Sequence, residues 1–508
     1  MGLDPGLRRL VLGTLLAAYP GPTPPAWALE LTGAGLAGFT LFGPNVQTPA
    51  QVAAATAALR AARPDVLVTI DEEGGDVTRL AHATGSPYPG NAALGAVDDV
   101  TLTRQVYAAI GAELAAVGVT VNLAPTVDVN SVDENPVIGT RSFGADPARV
   151  AAHTAAAVAG LQGVGVAACA KHFPGHGATV ADSHLELPTV DVPLDVLRAR
   201  DLPPFAAAVA ADAKAIMTAH IRVPALTGDG PATFSRAVLV DLLRRELGFT
   251  GTVVTDALEM RGAVVAAGGV GPAAVAALAA GADLLCVGAR VDAALVGTVV
   301  AEIVAALGDG RLTLDRVEEA AARSATLATG AATLTTHARA AAAVGAVAPA
   351  GAAAPAGRVG GQVAATSTGL GYAVARRAVT VEGTPGGLAG ALVVQAHATA
   401  TLAEGRVPWG LGPHLPDDVE EVRVVAGATD PAALRALAGD RPIVLVARHL
   451  WRLPGGPELV EALAATHPVT VVEMGWPGRW RPAGVRAFVA TYGASHANGH
   501  AAADALGW

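Results

Sequence analysis

The sequence is poor in cysteine, in aromatic residues and in charge. Its only two cysteines, Cys169 and Cys286, each sit inside an apolar run, which argues against a disulfide-stapled scaffold and predicts two buried free thiols. Phe, Trp and Tyr make up 4% of the chain, so its helices must pack through Ala, Val and Leu. Charged residues are 15%, the formal net charge is -10 and no stretch is basic. That balance argues against nucleic acid or an anionic membrane surface as a partner. No segment is apolar for long enough to span a bilayer without glycine or charge. Arg8-Arg9 followed by apolar residues 10–18 imitates a signal peptide, but Gly13, Thr14 and Tyr19-Pro20 cut the run short. It reads as the first strand of a cytoplasmic protein.

What is present is apolar alternation. At 508 residues and 52% hydrophobic content the chain has room for two or three well-filled domains. Short apolar runs at 11–15, 39–42, 66–70, 119–123, 166–170, 215–218, 252–255 and 284–287 alternate with Ala/Leu-rich helical stretches. Eight strands alternating with helices over residues 1–338 predict a closed (β/α)8 TIM barrel. Composition then changes. Residues 339–362 are almost all Ala, Gly, Val and Pro and read as a linker. Beyond it, strand-like runs at 392–395, 422–425, 443–446 and 469–472 predict a smaller open α/β sandwich domain over 363–508 with a largely parallel sheet. It carries no Gly-rich nucleotide fingerprint, and no cofactor is expected. His496, His500 and the Trp476-Pro477-Gly478 loop read as structural.

The chemistry concentrates after the fifth strand, at Lys171-His172-Phe173-Pro174-Gly175-His176-Gly177 followed by Asp182-Ser183-His184. Strand end, glycine-rich loop and titratable groups arrive together, as in an active site. In an extended segment Asp182 and His184, two apart, share a side. The carboxylate can then accept from one imidazole nitrogen and leave the other for proton transfer. His176 is equally readable as a residue that orders the loop. His172, His176, Asp182 and His184 are also all potential metal ligands, although their spacing fits no standard motif and a lysine sits among them. Elsewhere, Asp71 ends the third strand and is placed to accept from a polar ligand, with Glu72 and Glu73 either solvated or paired with arginines and Arg79 downstream. Arg141 lies in a long loop after strand four, suited to multi-donor contact. Asp256, at the mouth of strand seven, is either a nucleophile or a helix N-cap.

Taken together these stretches resemble the family 3 glycoside hydrolases, and among them the bacterial β-N-acetylglucosaminidases (β-N-acetylhexosaminidases), over nearly the whole chain. The resemblance rests on Asp71-x-Glu73-Gly74-Gly75, on Asn135-Pro136-x-Ile138-Gly139-x-Arg141-Ser142-Phe143-Gly144, on the Lys171 to His184 stretch, and on Gly248-Phe249-x-Gly251 leading to Asp256-Ala257-Leu258. It implies that Asp256 is the nucleophile forming a covalent glycosyl-enzyme and that His184, oriented by Asp182, is the acid/base. It further implies that Asp71, Arg79, Arg141, Lys171 and His172 hold the non-reducing N-acetylglucosamine. The expected activity is exo-acting, retaining hydrolysis of peptidoglycan or chitin fragments, as in peptidoglycan recycling, with no cofactor and no metal. Two departures add acidity: Glu72 stands where glutamine is common and Asp76 where a basic residue is frequent. Some members with this histidine arrangement resemble glycoside phosphorylases, so phosphate is an alternative acceptor, which a neutral imidazole would not repel. A metal-dependent amidohydrolase on the same barrel is the alternative from another reaction class.

Overall fold

A computed structural model describes residues 4–289, 291–345, 359–397 and 405–508, with side chains outside 335–345 and 359–368. The expected linker at 339–362 therefore falls largely outside the described residues. The chain forms two compact units, one of Met1–Glu72, Thr103–Ile138 and Ala145–Ala354, the other of Glu73–Leu102, Gly139–Gly144 and Pro355–Trp508.

The first unit holds eight parallel strands: β1 (Leu15–Ala17), β2 (Gly38–Leu41), β3 (Leu67–Ile70), β4 (Val121–Asn122), β5 (Ala167–Phe173), β6 (Ala215–Thr218), β7 (Thr252–Thr255) and β8 (Leu285–Cys286). They run β7-β6-β5-β4-β3-β2-β1-β8, and a parallel bridge between Val254 and Leu284 joins the two ends. This is the expected barrel. The first strand is displaced, however: residues 11 and 12 belong to helix Pro5–Leu12, and the strand begins at Leu15. The cause is local. Asp4 caps the helix by accepting from Leu7 N–H, Pro5 opens it, and Gly13 ends it. The same acceptor-then-proline start recurs at Thr48-Pro49, Asp146-Pro147 and Asp430-Pro431.

Inside the barrel, Leu16, Leu67, Val121, Ala167, Ala215, Val254 and Leu284 form an apolar floor, and Leu327 and Ala331 of helix Leu314–Gly345 pack against it. Small and branched side chains fill the space, as the shortage of aromatics requires. Both cysteines are free and buried. Burial pushes the Cys286 thiol up to about 12 and raises Cys169 further, so neither is a nucleophile at neutral pH.

The second unit holds a six-stranded sheet ordered β11-β10-β12-β13-β14-β9, with β9 (Thr380–Gly383), β10 (Leu392–Ala396), β11 (Glu420–Val424), β12 (Ile443–Ala447), β13 (Val469–Glu473) and β14 (Ala487–Ala490). Five strands are parallel, and β9 pairs antiparallel with β14 at one edge. Apolar clusters cover both faces, as a parallel sheet requires. Strands β9 and β14 are additions to the four expected.

Glu473, wholly buried at the end of β13, accepts from the N–H groups of His449 (2.6 Å), Gly475 (2.7 Å) and Leu450 (2.8 Å). Burial pushes its carboxyl up to about 7 despite the pull of these donors. Its ordinary value is 4.5, so the folded state binds the proton more tightly than the unfolded chain. The resulting stability is complete below about pH 4.5 and lost as pH rises through about 7. Thermal unfolding between pH 5 and pH 8 is therefore expected to show a loss of order 3 kcal/mol from this group. Glu473→Gln should flatten that slope; a variant with the wild-type slope would move the titration to another residue.

Candidate active site

Alternation along the inward face of the strands carries the chain from core to site. On β3, Leu67 lies in the barrel core and Asp71 follows on the same face; on β5 the order is Ala167, Cys169, Lys171; on β7, Val254 and then Asp256. A period of two makes the last inward position of each strand polar, at the carboxyl end of the barrel.

Lys171, 2% exposed, ion-pairs with Asp71, Nζ to Oδ1 2.5 Å. Neither charge is left uncompensated in the barrel mouth. His172 faces a residue that its own motif does not contain. Asp128, wholly buried, receives the His172 ring at Nδ1 (2.7 Å), the His172 backbone N–H (3.2 Å) and the His176 backbone N–H (2.6 Å). Burial by itself would raise its carboxyl, but His172 and His176 hold it below the usual carboxylate range. An ionised Asp128 favours a proton on Nδ1 of His172 and fixes the direction of the ring. The sequence signal for Asp128 is a single acid in the otherwise uncharged stretch 126–130, just beyond β4.

Asp182 and His184 are brought together, but by a turn instead of the extended segment expected. Asp182 Oδ1 accepts from both the backbone N–H of His184 (2.9 Å) and its ring Nδ1 (2.7 Å), while the Asp182 carbonyl accepts from Leu185 and Glu186, each at 3.0 Å. Aspartate favours such side-chain-closed turns. Burial opposes ionisation of Asp182, yet the bonds to His184 bring its carboxyl below the ordinary value. His184 Nε2 takes no part in these bonds.

Asp256 accepts from Ala257 N–H at 2.8 Å. Burial would raise its carboxyl, and the surrounding imidazoles of His172, His220 and His184 bring it down to about 2. It is a carboxylate at any working pH. His220, wholly buried, bonds the Ala257 carbonyl through Nε2 (3.1 Å) and the Thr233 hydroxyl through Nδ1 (2.8 Å). Burial lowers its pKa against the opposing pull of Asp256, and its two bonds prop the backbone beside Asp256.

The loop glycines answer to contact. A side chain at Gly177 would put its Cβ 1.9 Å from the Val129 carbonyl oxygen, and Gly175, at φ +127°, would put one 2.7 Å from Asp201 Cβ. Arg79 and Arg141 belong to the second unit. Arg141 forms a two-bond fork with Glu73 (2.7 and 2.9 Å), and Asn91 holds its carbonyl at 2.7 Å. Arg79 is buried, with Nη1 directed at the Thr78 carbonyl. The unusual Asp76 is engaged within the same unit by Thr140 Oγ1 (2.6 Å), Ala494 N–H (2.8 Å) and Arg448 (3.4 Å). Its charge is therefore spent on structure. Among the described residues, no group of three or more His, Cys, Asp or Glu side chains converges as metal ligands. No single helix among them is long and apolar enough to cross a membrane.

Comparison with known proteins agrees with the fold. The model of the glycosyl hydrolase family 3 N-terminal domain matches residues 26–327. Beta-hexosaminidase A of Pseudoalteromonas piscicida is 41% identical over 261 residues, which are 47% of this chain and 44% of that protein. This chain thus spans less than half of that relative. The beta-hexosaminidase of Stenotrophomonas maltophilia (strain R551-3) is 41% identical over 268 residues, 51% of this chain and 79% of that one. The structure of a glycoside hydrolase family 3 beta-N-acetylglucosaminidase from Paenibacillus sp. str. FPU-7 superposes with a TM-score of 0.84 at 32% identity, covering 99% of this chain and 97% of its own. With a barrel of this topology and a family match over most of it, the chain belongs to glycoside hydrolase family 3.

Proposed function

We propose that the chain is an exo-acting, retaining β-N-acetylglucosaminidase that releases terminal N-acetylglucosamine from peptidoglycan or chitin fragments. The observation that carries this reading is the pairing of a carboxylate held ionised, Asp256, with an imidazole whose Nδ1 is bound to a carboxylate, His184 on Asp182, at one barrel mouth. Retaining hydrolysis needs a nucleophile below the sugar ring and a proton donor beside the leaving oxygen. Asp256 attacks the anomeric carbon while His184 Nε2–H protonates the departing oxygen. Water then gives its proton back to Nε2 as its oxygen displaces Asp256. Asp182 compensates the imidazolium that His184 carries before the first step and regains in the second; between the two the ring is neutral. Asp71, Lys171 and His172 offer acceptors and donors to the sugar hydroxyls. The relatives named above support N-acetylhexosaminides as the substrate class.

The test is turnover of an aryl β-N-acetylglucosaminide with and without phosphate, following the sugar by proton NMR. The expected product is N-acetylglucosamine released first as the β anomer, at a rate indifferent to phosphate. Release as the α anomer would overturn retention. A phosphate-dependent rate yielding N-acetylglucosamine 1-phosphate would replace hydrolysis with phosphorolysis.

A further inference from the structure

We propose that His176 is a positioning residue for proton transfer, which acts by holding Ser183 and through it the turn that carries Asp182 and His184. This rests on the reading of His184 as the acid/base.

His176 is 2% exposed and all its polar groups are engaged. Its N–H donates to Asp128, and its carbonyl accepts from Asn135 Nδ2 (2.9 Å) and from the Thr179 hydroxyl (3.0 Å). These bonds fix the backbone on which the ring stands. The ring itself lies between two hydroxyls, with Nδ1 2.7 Å from Thr179 Oγ1 and Nε2 3.1 Å from Ser183 Oγ. Thr179 Oγ1 is thus in reach of both the His176 carbonyl and Nδ1, and Ser183 Oγ of Nε2, so the ring is held at both nitrogens.

Ser183 stands between Asp182 and His184 and is 2% exposed, whereas Val180 and Leu185 nearby are 69% and 62% exposed. A half-buried turn flanked by exposed residues thus holds one buried serine, and that serine bonds the buried ring. Asp182 fixes the direction of the His184 ring within the turn; the His176 to Ser183 bond fixes the turn on the barrel. Misplacing a proton donor by about 1 Å can cost about 100-fold in rate.

The test compares kcat/KM on two aryl β-N-acetylglucosaminides in wild type, Ser183→Ala, Ser183→Thr, His176→Leu, the His176→Leu/Ser183→Ala double variant and His184→Ala. Phenol leaves only with a proton, whereas 2,4-dinitrophenol leaves without one. Ser183→Ala and His176→Leu are each expected to lose about 10- to 100-fold on the phenyl glycoside and at most about threefold on the dinitrophenyl glycoside. The double variant should be no worse than either single one, and Ser183→Thr should recover most of the loss. Equal losses on both substrates, or additive losses in the double variant, would reduce His176 to a folding role and overturn the proposal. If His184→Ala shows the leaving-group dependence and Ser183→Ala does not, the coupling alone is wrong. If His184→Ala itself shows none, the acid/base reading beneath it falls as well.

Discussion

Asp256→Ala is expected to lower kcat on an aryl β-N-acetylglucosaminide by at least about 10⁴-fold, the scale on which removal of a nucleophile acts. The fold should survive, because Asp256 makes one backbone bond, to Ala257, and the strand below it is held by the apolar interior. Loss of rate alone would not separate a nucleophile from a residue that organises the site. Azide does. With the carboxylate gone, azide can take the vacated lower face, forming a bond from nitrogen to the anomeric carbon as the aryl oxide leaves. The product is then the α-glycosyl azide. In His184→Ala the carboxylate still forms the glycosyl-enzyme, and azide displaces it from the upper face to give the β-glycosyl azide. Opposite anomers from the two variants would assign both roles at once, and the β azide from Asp256→Ala would remove Asp256 from the nucleophile's place. Since its carboxyl is held to about 2, any loss of activity between pH 4 and pH 6 must come from another group.

How much of this was legible in the sequence depends on whether a feature is local. Strands β2, β3, β6 and β7, buried on both sides, read as apolar runs and fall within a residue or two of the expected positions. Strands β4 and β8 have only two residues each, because barrel strands are kept in place by their neighbours and need little ladder of their own. The apolar residues 11 and 12 are helical because an Asp-Pro start and a glycine stop outweigh strand propensity over so short a run. Strand β9, with all four residues exposed, offers no hydrophobic signal at all.

The site divides in the same way. Asp71, Lys171, His172, Asp182, His184 and Asp256 were visible because each follows a strand or lies in a motif with a known chemistry. Asp128 was not, since its partners His172 and His176 are more than 40 residues away and nothing in its own neighbourhood names them. The closeness of Asp182 and His184 was legible, but not the turn that produces it. Nor could sequence show that the segments bearing Arg79 and Arg141 group with the C-terminal part of the chain. That grouping depends on distant bonds such as Asp76 to Ala494.

The second large effect lies at the opposite end of the barrel and should be one of stability. Asp283, wholly buried just before β8, accepts from Arg244 (2.5 Å), Arg316 (2.7 Å), Arg323 (3.4 Å) and the backbone N–H of Val253 (2.9 Å). Arg316 and Arg323 lie on helix Leu314–Gly345, whose Leu327 and Ala331 seal the barrel floor. One carboxylate thus ties that helix to the amino-terminal ends of two strands. Burial pushes Arg244 down to about 10 against the opposing pull of Asp283, so it remains a cation at neutral pH. Asp283→Ala would leave up to three guanidinium groups facing one another around an empty acceptor position. Removing one partner of a buried pair costs about 3–5 kcal/mol, and the urea midpoint of the first unit should fall accordingly with little change in slope. The carboxyl-end site should be untouched, so turnover per folded molecule well below the midpoint should match wild type. Asp256→Ala and Asp283→Ala are thus expected to be mirror images, one inactive and stable, the other active and fragile. An Asp283→Ala protein with an unchanged midpoint would mean that water satisfies the arginines and that the floor is held by apolar packing alone.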